Sequence, residues 1–189
     1  MKYYLSLFVL LLSACASLPP LPPMPASQIN SWQINGRIAV KTESNNWTAN
    51  VYWHQQDSVY QLRLNIPPGQ GVVLLEGNAN EVIMHTSNNE TFSAQDPDTL
   101  IADVLKVHIP ISDLNFWIRG IPTDEPVPAW YTFNEAGNLQ SLRQNGWEIV
   151  YKQYISIQGI DLPKKIFLEN AKFRVKIAVS QWKINDMIF

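Results

Sequence analysis

Residues 32–41 read WQINGRIAVK, and their apolar side chains recur with a period of two. One face of this stretch carries Trp32, Ile34, Ile38 and Val40, whereas the residues between them are mostly polar or charged. This alternation is typical of a β-strand with one buried and one solvated face. The same pattern recurs along most of the chain, so this stretch sets the expected fold class.

Two more strands follow in the same phase. Apolar side chains alternate over 47–53, after a loop at 42–46, and again over 60–66. Three sequential antiparallel strands form a meander. The segment PPGQG at 67–71 interrupts pairing, because proline has no amide donor and glycine permits positive φ. Further strands are predicted at 72–76, 81–86, 91–94, 129–133, 139–144, 147–151, 165–168 and 173–182.

The period changes in the middle of the chain. Apolar residues recur at helical spacing after Asp96-Pro97, which predicts an amphipathic helix over 97–107. Its apolar positions are Leu100, Ile101, Val104 and Leu105. Ser112 is predicted to cap a second short helix that ends at Gly120. The apolar positions of that helix are Leu114, Trp117 and Ile118.

The predicted fold is mainly β, with about eleven antiparallel strands and one helical interruption. Because strands twist, an antiparallel sheet of this size curls or closes. A curled sheet of this size can enclose a ligand cavity, and the two inserted helices would then close its open side. A β-sandwich with a solid core remains the alternative.

The N-terminal 28 residues have a different character. Lys2 and the apolar run 3–12, too short to span a hydrocarbon core of about 30 Å, predict a signal peptide over 1–14. Residues 12–15 (LSAC) resemble the lipobox of bacterial lipoproteins, which implies a diacylglycerol and an N-acyl chain on Cys15. Five prolines at 16–26 favour an extended tether. The predicted organisation is thus a lipidated cysteine and tether over 15–28 and a folded domain over 29–189.

Composition excludes several classes of protein. Cys15 is the only cysteine, so we expect no disulfide and no cysteine-based metal site. The net charge is −2 and the charges are evenly mixed, which argues against nucleic-acid binding. No run of 18 apolar residues occurs after residue 27, so no transmembrane helix is predicted.

The sequence offers no catalytic constellation. It lacks the common nucleophile, metalloprotease and phosphate-loop motifs. The three histidines, His54, His85 and His108, fall on different predicted elements. The acidic residues Asp96, Asp98, Asp103 and Asp113 cluster around the helices, where capping and the helix dipole account for them. We therefore expect no catalytic residue, no metal and no cofactor apart from the lipid on Cys15.

The aromatic content is high, with seven Trp, seven Tyr and seven Phe. On the apolar faces of the predicted elements these residues either pack a solid core or line a cavity. Such a cavity binds acyl chains by buried area, at about 25 cal/mol per Å². The candidate cavity residues are Trp32, Trp47, Val51, Trp53, Tyr60, Leu62, Leu64, Trp117, Trp147, Ile149, Tyr151, Val175 and Ile177.

Several segments together resemble one lipoprotein family. Residues 32–40 are similar to its W-x-x-x-G-R start, and 109–122 (IPISDLNFWIRGIP) is similar to its P-[IV]-x-x-L-x-x-W-[IV]-x-G-[LI]-P segment. Further similar positions are 146–151, Tyr154, Leu162-Pro163 and a final basic strand ending in Trp182. Over about 32–182 the chain resembles the LolB family.

This resemblance implies an incomplete, half-open antiparallel barrel with a short helical lid enclosing a hydrophobic cavity. It also implies a function in lipoprotein transport. It implies a monomer in the outer membrane, lipid-anchored and facing the periplasm. The family accepts lipoproteins through their acyl chains from the periplasmic carrier LolA and incorporates them into the outer membrane, which is transfer and not catalysis. The implied partners are LolA, acylated cargo and outer-membrane lipids. Ala16, in place of Asp after the lipidated cysteine, agrees with the enterobacterial sorting rule for the outer membrane.

One loop departs from the family pattern. After the third strand the family typically has Pro-Leu-Gly. The resemblance implies that the exposed leucine of this loop helps to release cargo into the bilayer. Here the residues are Pro67-Pro68-Gly69, so Ile66 or Val72 is expected to supply the apolar tip. The candidate membrane or cargo-release loop is therefore Ile66, Pro67, Pro68, Gly69 and Val72.

Two other functions remain as alternatives. A structural or assembly lipoprotein of the envelope would dock a protein partner through an apolar face and would need no acyl cavity. A lipid-modifying enzyme would need a nucleophile or metal near the cavity, and the sequence offers no such grouping.

Overall fold

The computed structural model describes residues 25–66 and 71–184. The predicted signal peptide, Cys15, most of the tether, the loop residues Pro67, Pro68 and Gly69, and the tail at 185–189 lie outside the described residues. The domain boundaries predicted from the sequence therefore stay predictions.

Within the described residues, eleven antiparallel strands form one sheet, which confirms the predicted fold class. The strands are β1 (Ser31–Lys41), β2 (Asn46–Gln56), β3 (Val59–Ile66), β4 (Gly71–Gly77), β5 (Val82–Thr86), β6 (Thr91–Ala94), β7 (Trp130–Phe133), β8 (Leu139–Gln144), β9 (Trp147–Ile157), β10 (Ile160–Glu169) and β11 (Arg174–Ile184). A 3-10 turn over Pro25–Gln28 precedes them. In space the order is β6-β5-β4-β3-β2-β1-β11-β10-β9-β8-β7, so the described sheet is open, with β6 and β7 at its edges.

The pairing of β1 with β11 joins two meanders. Strands β1 to β6 pair in chain order, and so do β7 to β11. Between the two halves, Trp32 lies opposite Ile184 and Val40 lies opposite Val175. The chain between β6 and β7 must therefore cross from one edge of the sheet to the other.

That crossing contains the two predicted helices, α1 (Pro97–Leu105) and α2 (Ile111–Trp117). Helix α1 ends two residues earlier than predicted, because Lys106 takes the left-handed conformation at φ 57°. The predicted N-cap of α2, Ser112, is wrong. Pro110 occupies that position and makes no side-chain cap, because a carboxylate from α1 supplies it.

Burial confirms the alternation that the sequence shows in β1. Trp32, Ile34, Ile38 and Val40 are buried on the inner face, which also carries the helices. Strand β9 is longer than the predicted 147–151. Beyond Tyr151 its residues are half-buried or exposed on both faces, so the sequence gives no alternation there.

Gly36 allows the two meanders to come together. The β1–β11 register shifts between Asn35 and Gly36, and an added Cβ at Gly36 would lie 2.5 Å from the carbonyl oxygen of Ala178 and 3.1 Å from the Cα of Val179. Both atoms belong to the backbone, so a change of side-chain rotamer cannot relieve the contact. The Gly-Arg pair of the sequence motif therefore marks a point of close strand approach.

Gly36→Ala should destabilise the domain by about 1–3 kcal/mol, because the methyl group forces the β1 and β11 backbones apart. Chemical denaturation followed by tryptophan fluorescence measures this loss. Thr48→Ala, at an exposed position on β2, is the control and should change stability by less than about 0.5 kcal/mol. Equal stability of the two variants would contradict the steric explanation.

Candidate functional site

An apolar cavity lies between the inner face of the sheet and the helices. Its volume is about 40 Å³, and every residue that lines it is apolar. The lining residues are Ile34, Ile38, Trp47, Val51, Trp53, Leu62, Leu64, Ile101, Leu105, Val107, Ile109, Ile111, Leu114, Ile118 and Ile177.

The candidate cavity residues separate into two groups. Six of them line this cavity, namely Trp47, Val51, Trp53, Leu62, Leu64 and Ile177. The others belong to the surrounding core, namely Trp32, Tyr60, Trp117, Trp147, Ile149, Tyr151 and Val175. Of the candidate lid residues, Ile101, Leu105, Leu114 and Ile118 line the cavity, whereas Leu100 and Val104 pack in the core beside it.

Sequence reasoning missed the linker between the helices. Val107, Ile109 and Ile111 line the cavity and alternate with His108 and Pro110. This period of two shows that the linker lies extended along the cavity with one face turned inward. The signal was present in the sequence but is only five residues long.

One end of the cavity adjoins an open groove of about 760 Å³, which we call the mouth. The mouth shares Trp47, Leu64, Leu105 and Val107 with the cavity. The β1–β2 loop and the β10–β11 loop form its rim, at the end of the sheet where β1 finishes. The cavity and the mouth are therefore adjacent at this end of the sheet.

The two described residues of the candidate release loop lie on different faces. Ile66 lines the mouth. Val72 is half-buried opposite Asn65, and the next residue, Val73, is the one that turns into the core. Ile66 is thus the described residue of this loop that lies next to the cavity opening.

Asp98 ties the two helices together. Its carboxylate accepts hydrogen bonds from the backbone N–H groups of Ile111 (2.6 Å) and Ser112 (3.1 Å), the first two residues of α2. Burial raises the pKa of Asp98 above its ordinary value, although these two hydrogen bonds oppose the shift. Asp96 caps α1 itself, through the N–H of Thr99 at 2.8 Å. Capping thus accounts for both acidic residues, as the sequence indicated.

The C-terminal end of α2 is held by buried polar contacts. The indole N–H of Trp117 donates to Gln144 (3.0 Å), and the hydroxyl of Tyr151 donates to the carbonyl of Trp117 (3.1 Å). The amide of Gln144 also bonds the backbone N–H and C=O of Thr123 and the carbonyl of Pro126. These contacts make Trp117 an anchor for α2 and explain why it does not line the cavity.

Tyr60 lies outside the cavity beside α1. Its hydroxyl is buried and has no hydrogen-bond partner among the described residues. Burial, with Asp98 and Asp96 nearby, raises its pKa to about 12. The ring covers Gly77, the residue opposite it on β4, where any Cβ would collide with it.

Arg119 joins the end of the helical segment to the N-terminus of the described chain. Its guanidinium is buried and donates to the carbonyls of Asn115 (3.1 Å), Ile29 (3.0 Å) and Ala26 (3.4 Å). It also lies 5.4 Å from the ring centre of Phe116. Burial lowers the pKa of Arg119 to about 10, so the side chain is cationic at neutral pH.

Within 25–66 and 71–184, no three His, Cys, Asp or Glu residues lie close enough to hold a metal ion. His85 contacts Thr91 and Glu76, His108 packs edge-on against Phe173, and His54 lies on β2. In the same ranges no helix has the length and hydrophobicity to cross a membrane.

Residues 30–182 match the family model described as outer membrane lipoprotein LolB. The chain belongs to the LolB family. It is 31% identical over 157 residues to the outer-membrane lipoprotein LolB of Ectopseudomonas mendocina, which covers 83% of this chain and 76% of that protein. It is 30% identical to the LolB of Alkalilimnicola ehrlichii, with 94% of both chains covered.

Solved structures support the fold independently. A LolA superfamily protein from Nitrosomonas europaea superposes with a TM-score of 0.54 at 10% identity and covers 84% of this chain and 87% of that one. A putative outer membrane lipoprotein-sorting protein domain from Vibrio parahaemolyticus superposes with a TM-score of 0.54 at 8% identity, covering 85% and 87%. The overall fold is thus similar to that of LolA-like proteins. As a LolB family member, the chain is an outer-membrane lipoprotein with a role in lipoprotein localisation.

Asp98→Ala should loosen the start of α2, because the backbone N–H groups of the buried Ile111 and the exposed Ser112 lose their acceptor. A lost cap of this kind costs about 0.5–2 kcal/mol, so amide exchange at Ile111 and Ser112 should accelerate about tenfold. Hydrogen–deuterium exchange with mass spectrometry measures this. Asp103→Ala, at an exposed position on α1, is the control and should leave those amides unchanged. Unaltered exchange in Asp98→Ala would show that apolar packing alone holds the lid.

Proposed function

We propose that the cavity beneath the helices receives the acyl chains of lipoproteins from the periplasmic carrier LolA and delivers them to the outer membrane. The observation that carries this proposal is the wholly apolar lining of a cavity that adjoins an open mouth. Acyl chains need buried apolar area and no specific chemistry. Membership of the LolB family supports the same assignment.

The volume of the cavity requires the lid to move. A space of about 40 Å³ holds only a few water molecules, since each needs about 10–15 Å³ of cavity volume. Sites for ligands of acyl-chain size occupy about 300–1,000 Å³. The structure is therefore the closed state, and cargo enters when the helices separate from the sheet.

The helices are attached unequally to the rest of the domain. Helix α2 is fixed at its C-terminal end by Gln144, Tyr151 and the buried Arg119. Helix α1 and the linker at 106–110 are held by apolar contacts and by Asp98. With nine and seven residues, both helices are too short to be stable away from the sheet. Opening thus proceeds from α1 and the linker, next to the mouth.

Transfer of this kind needs no catalytic step. Each buried methylene contributes about 0.8 kcal/mol wherever it is buried, so the direction of transfer follows the difference in burial between donor and receiver. Cys15, outside the described residues, is the proposed lipid attachment site of this receiver. A durable anchor needs more than one acyl chain, which the diacylglycerol and N-acyl groups would supply.

The alternative of a partner-docking lipoprotein has less support. Its apolar face would be a contiguous exposed patch. The large apolar residues exposed on the described surface are spread over different strands and loops, namely Val59, Val127, Trp130, Ile155 and Phe167.

The first test is transfer in solution. A radiolabelled lipoprotein loaded on LolA is mixed with the soluble domain lacking Cys15, and the label bound to each protein is counted after separation. We expect the label to move to the domain. A folded domain that acquires no label would overturn the proposal and favour partner docking.

Leu64→Glu should reduce this transfer at least tenfold, because it places a carboxylate where the cavity meets the mouth. Leu64 lines both spaces, so the charge can stay hydrated while it opposes acyl entry. Arg63→Glu, the adjacent exposed position on the outer face of β3, is the matched control and should transfer normally. Near-ultraviolet circular dichroism checks the fold of both variants. Normal transfer by a folded Leu64→Glu domain would place the acyl chains elsewhere.

A further inference from the structure

The outer face of the sheet, opposite the helices, carries a group of cationic side chains around one exposed aromatic ring. We propose that this basic patch binds anionic phospholipid headgroups, so that the strands lie along the surface of the bilayer. The inference rests on the membrane attachment in the proposed function, but its test needs neither cargo nor carrier.

Strand register brings the patch together. On the outer face, Lys176 of β11 lies opposite Ala39 of β1 on one side and Phe167 of β10 on the other. Lys165 lies opposite Ala178, which in turn faces Arg37. Four adjacent strands, β1, β11, β10 and β9, thus contribute to one surface.

Phe167 is the centre of the patch. Its side chain is 37% exposed, although neighbouring outward positions on a sheet usually carry polar residues. The ammonium groups of Lys176 and Lys152 lie 5.4 and 6.0 Å from the ring centre. An aromatic ring flanked by lysines is typical of surfaces at a membrane interface, where the ring meets the headgroup region and the lysines meet phosphates.

The patch keeps its positive charge. On the same face, Glu169 pairs with Arg174 at 3.6 Å and Glu148 pairs with Arg143 at 2.9 Å. These acidic residues next to the patch are therefore neutralised by arginines and not by the lysines of the patch. Five other cations of the patch form no ion pair with any described residue. These are Arg37, Lys41, Lys152, Lys165 and Lys176. Since the whole chain has a net charge of −2, this concentration of positive charge on one face calls for an anionic partner.

The positions of the mouth and the tether favour a membrane as that partner. The tether enters beside Ala26 and Ile29, at the end where β1 begins, and the mouth lies where β1 ends. The eleven residues of β1 separate these ends by about 36 Å. A domain standing on its tethered end would hold the mouth away from the bilayer.

Lying on the patch brings both ends to the bilayer surface. The opposite face is unsuitable, because it carries the helices that must move and the acidic residues Asp96, Asp98 and Asp103. Of the two broad faces, the basic one therefore combines charge complementarity with access of both mouth and tether to lipid.

Vesicle binding tests the proposal. The soluble domain lacking Cys15 is sedimented with vesicles of phosphatidylethanolamine and phosphatidylcholine, with or without 25 mol % phosphatidylglycerol. We expect binding that requires the anionic lipid and weakens as salt rises. The triple variant K152E/K165E/K176E should bind at least tenfold more weakly, because all three positions are exposed and each contributes to the attraction.

The matched control reverses two exposed lysines on the rim of the mouth, K106E/K172E. If this pair abolishes vesicle binding and the triple variant does not, the domain contacts the membrane end-on and the proposal is wrong. Equal binding of the wild type to both kinds of vesicle, or to neither, would also overturn it. An unchanged vesicle affinity of the triple variant, together with weaker association with LolA, would make the patch a protein-docking surface.

The vesicle test and the transfer test fail independently. Without vesicles, the triple variant should accept labelled lipoprotein from LolA as the wild type does, because its substitutions lie on the face away from the cavity. Loss of transfer in the wild type counts against the proposed function and leaves the vesicle result unaffected.

Discussion

The pairing of β1 with β11 is the interaction on which the rest of this structure depends. It joins two meanders back to back and thereby places β6 and β7 at opposite edges of one sheet. The chain between them has to cross the inner face, so the helices cover that face as a result of connectivity. The two edge strands are only four residues long, which limits the hydrogen-bonding groups they offer to other chains. The pairing thus decides both the position of the lid and which strands lie at the edges of the sheet.

The alternation of apolar residues was sufficient to predict this fold class. It did not predict the strand residues that lack one buried and one exposed face. In β1 the inward positions are all apolar, and the strand bounds differ from the prediction by one residue. The second half of β9 has Lys152, Gln153 and Ile155 exposed, and nothing in that pattern distinguishes a strand from a loop. The cap of α2 could not be found locally either, because Asp98 is thirteen residues from the first N–H that it binds. Long-range hydrogen bonds of this kind become visible only when the helices are packed.

The candidate site was only partly predictable, for a related reason. Trp47 and Trp147 occupy equivalent inward positions on their strands, yet the first lines the cavity and the second packs against Trp117 and Phe173. Whether an inward residue lines a cavity depends on how closely the crossing segment approaches it. Both residues are tryptophans, so their chemistry does not distinguish a cavity-lining residue from a core residue. A site that binds its ligand only through buried apolar area therefore has no local sequence motif. Similarity of fold likewise persists at low identity, because the LolA-like structures superpose on this chain at about one-tenth sequence identity.

Arg119 connects the N-terminal segment of the domain mechanically to helix α2. Its guanidinium bonds the carbonyls of Ala26 and Ile29, immediately before β1, and also the carbonyl of Asn115 within α2. Tension along the N-terminal segment is therefore transmitted first to the base of the helical segment, before it reaches the strands. Because the guanidinium binds backbone carbonyls, the connection tolerates changes in the side chains of the residues it holds. One side chain therefore holds both the N-terminal segment that leads to the tether and the end of the helical lid.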